Sequence, residues 1–301
     1  MRTKSLTLGL TAAFFAASGA VSAVAQSAGE MLGAPHPKGI DFQEPATELA
    51  RDLQWLDGML NWVIGVIVLF VIALIAIVIV RFNRRANPTP ATFTHNTPIE
   101  VAWTIVPILV LVVIGAYSLP VLFKQQEIPE GDIYIKVTGN QWYWTYDYVD
   151  EGFGFDSYMI GQPATVGNYV RTPEVEQALI DAGYTPDQFL LATDTRVVVP
   201  VGKVVVMGVT GSDVIHSWTI PAFGVKQDAV PGRVAELWFN AERTGTFFGQ
   251  CSELCGKDHA YMPITVEVVS EEDYAIWLAE AKEEYASLDT GAQLIQLASA
   301  E

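Results

Sequence analysis

The run NWVIGVIVLFVIALIAIVIV, residues 61–80, is almost wholly apolar and stops abruptly at Arg81. About 20 apolar residues are enough for a helix to cross the hydrocarbon core of a bilayer. A second run of this kind, VAWTIVPILVLVVIGAYSLPVLF, occupies residues 101–123. Because backbone polar groups must be satisfied internally in lipid, both runs should be helical. The sequence therefore predicts a transmembrane hairpin over residues 55–124, with spans at about 60–80 and 101–123.

The orientation of the hairpin follows from the charges around it. Its connecting loop, residues 81–100, carries three arginines, whereas the opposite flanks carry more acid than base. This bias predicts a cytoplasmic loop, with both mature termini on the exported side. Arg2 and Lys4 precede a short apolar run and the residues AVA at 23–25, a pattern typical of a signal peptide over residues 1–25. The alternative is a short first membrane helix, but the apolar run is shorter than a span requires.

The overall composition agrees with this division of the chain. The protein has 301 residues, half of them hydrophobic, and a formal net charge of −17. The apolar excess is concentrated in the two spans, and the acidic residues are spread over the exported part. An acidic chain without a basic patch is not expected to bind nucleic acid.

The exported part is predicted to have an N-terminal arm, residues 26–54, and an all-β domain, residues 125–270. Segments such as IYIKVTG, QWYWTYDY, KVVVMGVTG and PITVEVVS are short, β-branched or aromatic, and separated by Gly, Pro and Asp. This pattern favours a β-sandwich or barrel. One helical insert should begin after Thr172, and a helix should follow Ser270 and lead into a tail, together residues 271–301.

The two cysteines of the chain, Cys251 and Cys255, lie in the stretch GQCSELCGKDHAYMP. A disulfide is one interpretation, since the exported compartment is oxidising. The same stretch, however, contains His259 and Met262, and His216 lies upstream in VIHSW. The other two of the four histidines lie in the arm and in the cytoplasmic loop, so only His216 and His259 are available to the exported domain.

Two thiolates, two imidazoles and a thioether form a soft ligand set that suits copper. A mononuclear blue copper site uses one cysteine, so the second thiolate predicts a pair of copper ions bridged by both sulfurs. Met262 would then be a weak axial ligand of one ion, and a backbone carbonyl between the cysteines, near Glu253, could serve the other. Zinc also accepts two cysteines and two histidines and remains an alternative.

The sequence resembles subunit II of cytochrome c oxidase. The resemblance is carried by CSELCGKDHAYMP, by HSW upstream, and by QWYW after a two-helix hairpin. It implies a two-helix transmembrane hairpin followed by an all-β, cupredoxin-like Greek-key barrel. It also implies a dinuclear CuA centre with these ligands: His216, Cys251, Glu253 through its backbone carbonyl, Cys255, His259 and Met262.

The resemblance assigns further roles. The Glu253 carboxylate is expected to bind Mg²⁺ at the boundary with subunit I, and electrons from cytochrome c are expected to enter at Trp142. Strand alternation would place Trp142, Trp144 and Tyr146 on one face. Glu100 is expected at the entrance of a proton channel, although a carboxylate at a helix N-terminus is an equally good explanation. Four acidic residues are expected to form a docking ring for the basic donor: Asp147, Asp156, Asp194 and Asp213.

The implied function is that of the electron-accepting, non-catalytic subunit of a bacterial aa3-type oxidase. Expected partners are subunits I and III, cytochrome c and membrane lipid, with oxygen reduction and proton pumping in subunit I. The expected location is the inner membrane of a Gram-negative bacterium, with the CuA domain in the periplasm. A quinol oxidase subunit or a purely structural subunit would not need the Cys–His–Met set, and a nitrous oxide reductase would lack the hairpin.

Overall fold

The computed structural model describes residues 30–285, so the predicted signal peptide and the tail after residue 285 lie outside the described residues. The helices are α1 Glu48–Arg81, α2 Thr97–Gln126, α3 Pro173–Asp181 and α4 Glu271–Tyr285. The strands are β1 Met31–Gly33, β2 Ile133–Asn140, β3 Tyr143–Tyr148, β4 Phe153–Ser157, β5 Val197–Pro200, β6 Val204–Gly211, β7 His216–Ile220, β8 Val225–Ala229, β9 Ala235–Asn240, β10 Gly245–Gln250 and β11 Pro263–Val269.

Helices α1 and α2 form the predicted hairpin and expose their apolar side chains along most of their length. Thr47 caps α1 by accepting from Ala50 N at 3.0 Å, and Asn96 caps α2 by accepting from Ile99 N at 3.3 Å. Each cap satisfies one of the N–H groups that a helix start leaves without a partner. Both helices are long and apolar enough to cross a membrane.

The β-strands form two sheets and a hairpin. One sheet has the order β1-β10-β11-β5, the other has the order β4-β3-β2-β6-β9, and β7 pairs with β8. The sheets enclose an aromatic core that includes Trp144, Trp218, Phe239 and Phe247. The prediction of a transmembrane hairpin followed by an all-β domain is therefore confirmed.

The alternation predicted for QWYWTYDY is correct from Trp144 onward but wrong at its start. Trp144, Tyr146 and Tyr148 are buried on one face of β3. Trp142 lies in the turn between β2 and β3, outside the strand. From this turn, the indole of Trp142 reaches the loop of the cysteines, where its Nε1 donates to the carbonyl of Cys255 at 3.3 Å.

The hairpin is attached to the β domain at the start of α1. Ala46 N donates to the carbonyl of Ala222 at 2.8 Å, and the Thr47 hydroxyl donates to the carbonyl of Phe223 at 2.7 Å. Gly224, at φ +68°, leaves no room for a side chain, because a Cβ there would lie 2.7 Å from the Cα of Ala50. Helix α1 therefore begins on the β domain before it enters the apolar run.

Residues 158–196, here called the insertion, join β4 to β5 and contain α3. Thr172 caps α3 as predicted, accepting from Val175 N. Val175 and Leu179 pack with Phe248 of β10 in a second hydrophobic cluster. Beside this cluster, the largely buried Arg196 pairs with the buried Glu267 at 3.1 Å and also donates to the carbonyl of Ala182. The insertion is thus fastened to the β10–β11 sheet.

Candidate metal centre

His216 is the first residue of β7, and its side chain is fully buried. The imidazole lies against β2 at Gly139, where a Cβ would be only 2.8 Å from His216 Cγ. The indole of Trp144 packs against the imidazole edge-on, with ring centroids 6.0 Å apart. Glycine at position 139 is therefore what makes room for the imidazole.

The two nitrogens of His216 face different partners. Nδ1 lies 4.0 Å from Cys251 Sγ, and Nε2 lies 2.8 Å from a carboxylate oxygen of Asp213. Burial acts to lower the pKa of His216, but hydrogen bonds with Cys251 and Asp213 outweigh it and raise the pKa. A carboxylate that accepts from one nitrogen orients the other nitrogen toward a metal.

The remaining donors come from the loop between β10 and β11. Cys251 Sγ and Cys255 Sγ are 3.8 Å apart and do not form a disulfide. His259 Nδ1 and Met262 Sδ each lie 3.5 Å from Cys255 Sγ, while the Glu253 carbonyl oxygen lies 3.3 Å from Cys251 Sγ.

Burial separates these donors into two groups. Cys251, Cys255 and Met262 are 6%, 4% and 1% exposed, whereas His259 is half-buried. Within residues 30–285, the candidate metal-binding cluster of His, Cys and carboxylate groups is His216, Cys251 and Cys255, whose ligand atoms lie within 4.8 Å of one another. His259 and Met262 approach this cluster from the Cys255 side.

The electrostatic environment distinguishes the two thiols. At Cys251, burial acts to raise the pKa, but hydrogen bonds with His216 and with backbone groups of Glu253 and Ser217 lower it to about 7. At Cys255, burial and the adjacent Cys251 raise the pKa to about 12. Two thiols this close resist losing both protons unless positive charge lies between them, and a bound metal cation would supply it.

The donor chemistry fits copper. A buried thioether beside two thiols and two imidazoles is a soft set, and a methionine sulfur is a ligand that copper uses. Zinc sites do not use methionine, so Met262 would be left without a role in a Cys₂His₂ zinc site. The free, converging thiols also argue against the disulfide interpretation.

Comparison with known proteins now identifies the family. The sequence model described as "Cytochrome C oxidase subunit II, periplasmic domain" matches residues 133–269, and that of the transmembrane domain matches residues 35–121. Cytochrome c oxidase subunit 2 of Cereibacter sphaeroides is 61% identical over 277 residues, which is 91% of each chain. The chain belongs to the cytochrome c oxidase subunit II family.

Two further subunit II proteins are similar to this chain. A probable cytochrome c oxidase subunit 2 of Rickettsia bellii is 43% identical over 247 residues, which cover 81% of this chain and 85% of the relative. The crystal structure of the periplasmic domain of subunit II of cytochrome oxidase from Bradyrhizobium japonicum is 46% identical, with a TM-score of 0.43. It covers 52% of this chain and 99% of its own.

Membership of the subunit II family agrees with the architecture described above. The fold is the expected two-helix hairpin with a cupredoxin-like β domain. The chain is a subunit of cytochrome c oxidase, and its spans and periplasmic domain are consistent with a bacterial inner-membrane protein. The cluster of His216 and the two cysteines is consistent with a copper site in a member of this family.

The other predicted site residues of this subunit II chain lie at several distances from the cysteines. Trp142 is close, because its Nε1 donates to the carbonyl of Cys255 at 3.3 Å. Asp156 and Asp194 lie together beside Tyr158, whereas Asp147 pairs with Lys136 at 3.5 Å. Asp213 is the acid that contacts a predicted ligand, His216.

Glu100 and Glu253 are the remaining predicted site residues. Glu100 lies in the first turn of α2, where its carboxylate accepts from Asn96 N at 3.0 Å. The Glu253 side chain is exposed, and its carboxylate is not part of the cluster found among residues 30–285.

Several contacts of the site were not found from the sequence. The nearest signal was Asp213, which the resemblance assigned to the docking ring rather than to a contact with His216. Gly139 and Tyr169 gave no local signal, because each meets the site from a distant part of the chain. Lys257, whose Nζ lies 4.7 Å from the Trp142 ring, was also missed, although it lies inside the cysteine motif.

Proposed function

We propose that this chain accepts electrons one at a time from cytochrome c at a dinuclear CuA centre and passes them to the haem of subunit I. Subunit I would then reduce O₂ and pump protons, so this chain would be the non-catalytic electron-transfer subunit. The observation that carries the proposal is the convergence of both cysteines, His216, His259 and Met262 at one end of the β domain. Family membership independently supports it.

Two copper ions, when bound, would supply a redox centre that takes up and releases a single electron. The groups that would hold the ions are the Cys251 and Cys255 sulfurs, the His216 and His259 imidazoles, the Met262 thioether and the Glu253 carbonyl. The chain's own contribution is rigidity: the cysteines are buried, His216 packs against the core Trp144, and the Met262 carbonyl accepts from the Trp144 indole. A donor set that barely moves keeps the rearrangement accompanying electron transfer small.

The proposal is tested by metal analysis and electron paramagnetic resonance of the purified full chain. We expect two copper ions per chain that share one unpaired electron in the oxidised state. The Cys255→Ser variant should lose this signal, and Ser252→Ala, which alters an exposed residue between the cysteines, should keep it. One copper, zinc or no metal in the wild-type chain would overturn the proposal.

Trp142 is proposed as the residue through which electrons enter. Its indole bonds the carbonyl of Cys255, a proposed ligand residue, and remains partly exposed. Trp142→Ala should slow electron uptake from reduced cytochrome c and leave the copper spectrum intact, whereas Trp55→Ala, far away on α1, should change neither. Wild-type uptake kinetics in Trp142→Ala would remove Trp142 from the pathway.

The acidic residues of the periplasmic domain are proposed to dock the basic donor. They are Asp147, Asp156, Asp194 and Asp213. Attraction between opposite charges accelerates association and is screened by salt. Association with cytochrome c should therefore weaken steeply as ionic strength rises, and Asp156→Asn should flatten this dependence. A response to salt that is already flat in the wild-type protein would exclude electrostatic docking.

Two carboxylates are proposed to act at boundaries with subunit I. Glu253 would bind Mg²⁺, and Glu253→Gln should then lower the Mg²⁺ or Mn²⁺ content of the purified oxidase. Glu100 would serve the entrance of a proton channel, although its bond to Asn96 N is equally explained by its place in the first turn of α2. Normal proton uptake by the Glu100→Ala oxidase would leave Glu100 with the structural role alone.

The remaining assignments concern the cellular setting. The proposed partners are subunits I and III, cytochrome c and membrane lipid. The proposed location is the inner membrane of a Gram-negative bacterium, with a cleaved signal peptide and both mature termini in the periplasm. Protease treatment of spheroplasts should digest the β domain and spare the loop between α1 and α2.

A further inference from the structure

One side chain of the insertion contacts the loop that carries the proposed copper ligands. The hydroxyl of Tyr169 donates to a carboxylate oxygen of Asp258 at 2.9 Å. The ring of Tyr169 packs against the ring of Tyr261, with centroids 4.6 Å apart. Asp258 immediately precedes His259, and Tyr261 immediately precedes Met262. Tyr169 thus touches the residue before each ligand on the Cys255 side.

The position of Tyr169 is determined within the insertion. Its backbone N–H donates to the carbonyl of Gly161 at 2.8 Å, and its φ is +61°, a left-handed conformation that is uncommon for a residue with a side chain. Gly161 and Gly167 both lie against Val175 of α3, where a Cβ would come within 3.1 Å and 2.8 Å of its methyl groups. Tyr169 therefore projects from a tightly packed loop.

The acceptor of this hydrogen bond is buried and has a second partner. Asp258 is only 6% exposed, and the same carboxylate oxygen pairs with Lys257, whose Nζ lies over the Trp142 ring. Burial and the neighbouring Asp258 carboxylate raise the pKa of Tyr169 to about 12, so the hydroxyl keeps its proton at neutral pH. A neutral donor facing a buried carboxylate makes a stronger hydrogen bond than one between uncharged groups.

We propose that Tyr169 is a positioning residue of the metal centre, which holds the turn from Asp258 to Tyr261 so that His259 and Met262 stay beside Cys255. This inference rests on the proposed copper function. His259 is the half-buried ligand and lies in a single short turn, without a strand to hold it. The contact from the insertion takes the place of that missing support.

The test compares copper loss from the full-length chain, purified in detergent and loaded with copper, after addition of a copper chelator. Tyr169→Phe keeps the ring and removes the hydroxyl, so copper should leave about tenfold faster, as expected for the loss of one charge-assisted hydrogen bond. The copper hyperfine pattern should also change. Tyr158→Phe is the matched control, because the Tyr158 hydroxyl lies 3.4 Å from an exposed carboxylate oxygen of Asp156 and touches no ligand turn.

Thermal melting of the metal-free chain separates positioning from general destabilisation. Faster copper loss and an altered hyperfine pattern, with an unchanged melting temperature, support the inference. An unchanged rate in Tyr169→Phe, or a faster rate fully matched by a lower melting temperature, overturns it. If the wild-type chain does not bind two copper ions, the proposed function itself fails, and that outcome is seen before any variant is compared.

Discussion

The chain holds the two proposed imidazole ligands in different ways. His216, the strand ligand, is fully buried on β7 and is enclosed by Gly139, Trp144 and Asp213. His259, the loop ligand, is half-buried in a short turn whose support comes from the insertion. The sheet thus fixes one side of the centre, and an added segment of chain stabilises the other. Substitutions can test whether the two sides respond separately.

The largest effect on copper binding is expected from Gly139→Ala, which acts on the strand ligand. Gly139 is paired with Trp144 of β3 and Gly211 of β6, so the backbone cannot move away from the new methyl group. Overpacking of this kind costs about 1–3 kcal/mol, and here it is directed at the imidazole itself. Metal analysis should show fewer than two copper ions per chain.

The control for Gly139→Ala is Gly152→Ala, in the turn between β3 and β4. Gly152 has a φ of +72°, but nothing lies within 4 Å of a Cβ built on it. Alanine there strains the backbone and touches no ligand, so the copper content should stay at the wild-type level. Full copper loading of Gly139→Ala would show that packing does not hold the strand ligand.

The largest effect on the stability of the fold is expected from Arg196→Met, which loosens the insertion behind the loop ligand. This change leaves Glu267, 3% exposed on its side chain, without its cationic partner. Removing one member of a buried ion pair costs about 3–5 kcal/mol. Thermal unfolding in detergent should occur at a clearly lower temperature.

The exposed pair of Arg171 and Glu176 provides the comparison for Arg196→Met. Their side chains are 42% and 41% exposed, so Arg171→Met should cost less than about 1 kcal/mol. Equal destabilisation by the two variants would mean that the insertion is not fastened at Arg196.

A smaller effect on copper binding is expected from Asp213→Asn, which changes the hydrogen-bond partner of the strand ligand. An amide is a weaker acceptor for the His216 Nε2–H, and because it is neutral it does not attract the positive charge of the metal. Changes to such partners of metal-binding histidines lower metal affinity by about 10–100-fold. Competition with a chelator should show this loss. Asp228→Asn, which alters a hydrogen bond to the neighbouring Ser217, should leave copper affinity near the wild-type value.

The smallest effect is expected from Glu242→Gln, remote from both ligands at the junction with α1. The hydrogen bond from Arg51 lowers the pKa of Glu242, so the pair stabilises the fold above the ordinary glutamate pKa of about 4.3. That stabilisation is lost as the pH falls through the lowered pKa. Because both side chains are more than 40% exposed, it is worth about 0.5 kcal/mol.

Melting curves of Glu242→Gln and the wild-type chain should therefore differ slightly at pH 7 and converge as the pH falls below the lowered pKa of Glu242. The copper spectrum should be identical in both. A spectral change would show that the junction with α1 influences the ligands, contrary to the separation drawn above.

The parts of the fold that were predicted correctly carry a local pattern. The two spans are long apolar runs, α3 begins at a capping threonine, and β2, β5, β6, β9 and β11 are rich in β-branched and aromatic residues. Strands β1, β4, β7, β8 and β10 were missed. VKQDA of β8 is mostly polar, and GTFFGQ of β10 contains two glycines, so neither alternates clearly.

The site was predicted as far as its residue types could indicate. The cysteines, histidines and methionine form a recognisable donor set at short spacing, apart from His216. The contacts of Gly139 and Tyr169 depend on which distant segments the fold brings together, and a single sequence does not contain that information. Trp142 was placed on β3 because its neighbours alternate, whereas the β2–β3 turn includes it.

The attachment of α1 to the β domain fixes the distance between the membrane helix and the proposed metal centre. Strand β7 has five residues, and it runs from His216 directly into the segment 221–223 that binds the start of α1. At about 3.3 Å per residue, this strand sets a spacing of roughly 16 Å between the ligand and the membrane helix. Adding one residue would lengthen that spacing and turn the imidazole to the opposite face. The length of β7 therefore sets the distance between His216 and the membrane helix. Only an insertion or deletion of two residues would change that distance and keep the imidazole on the same face.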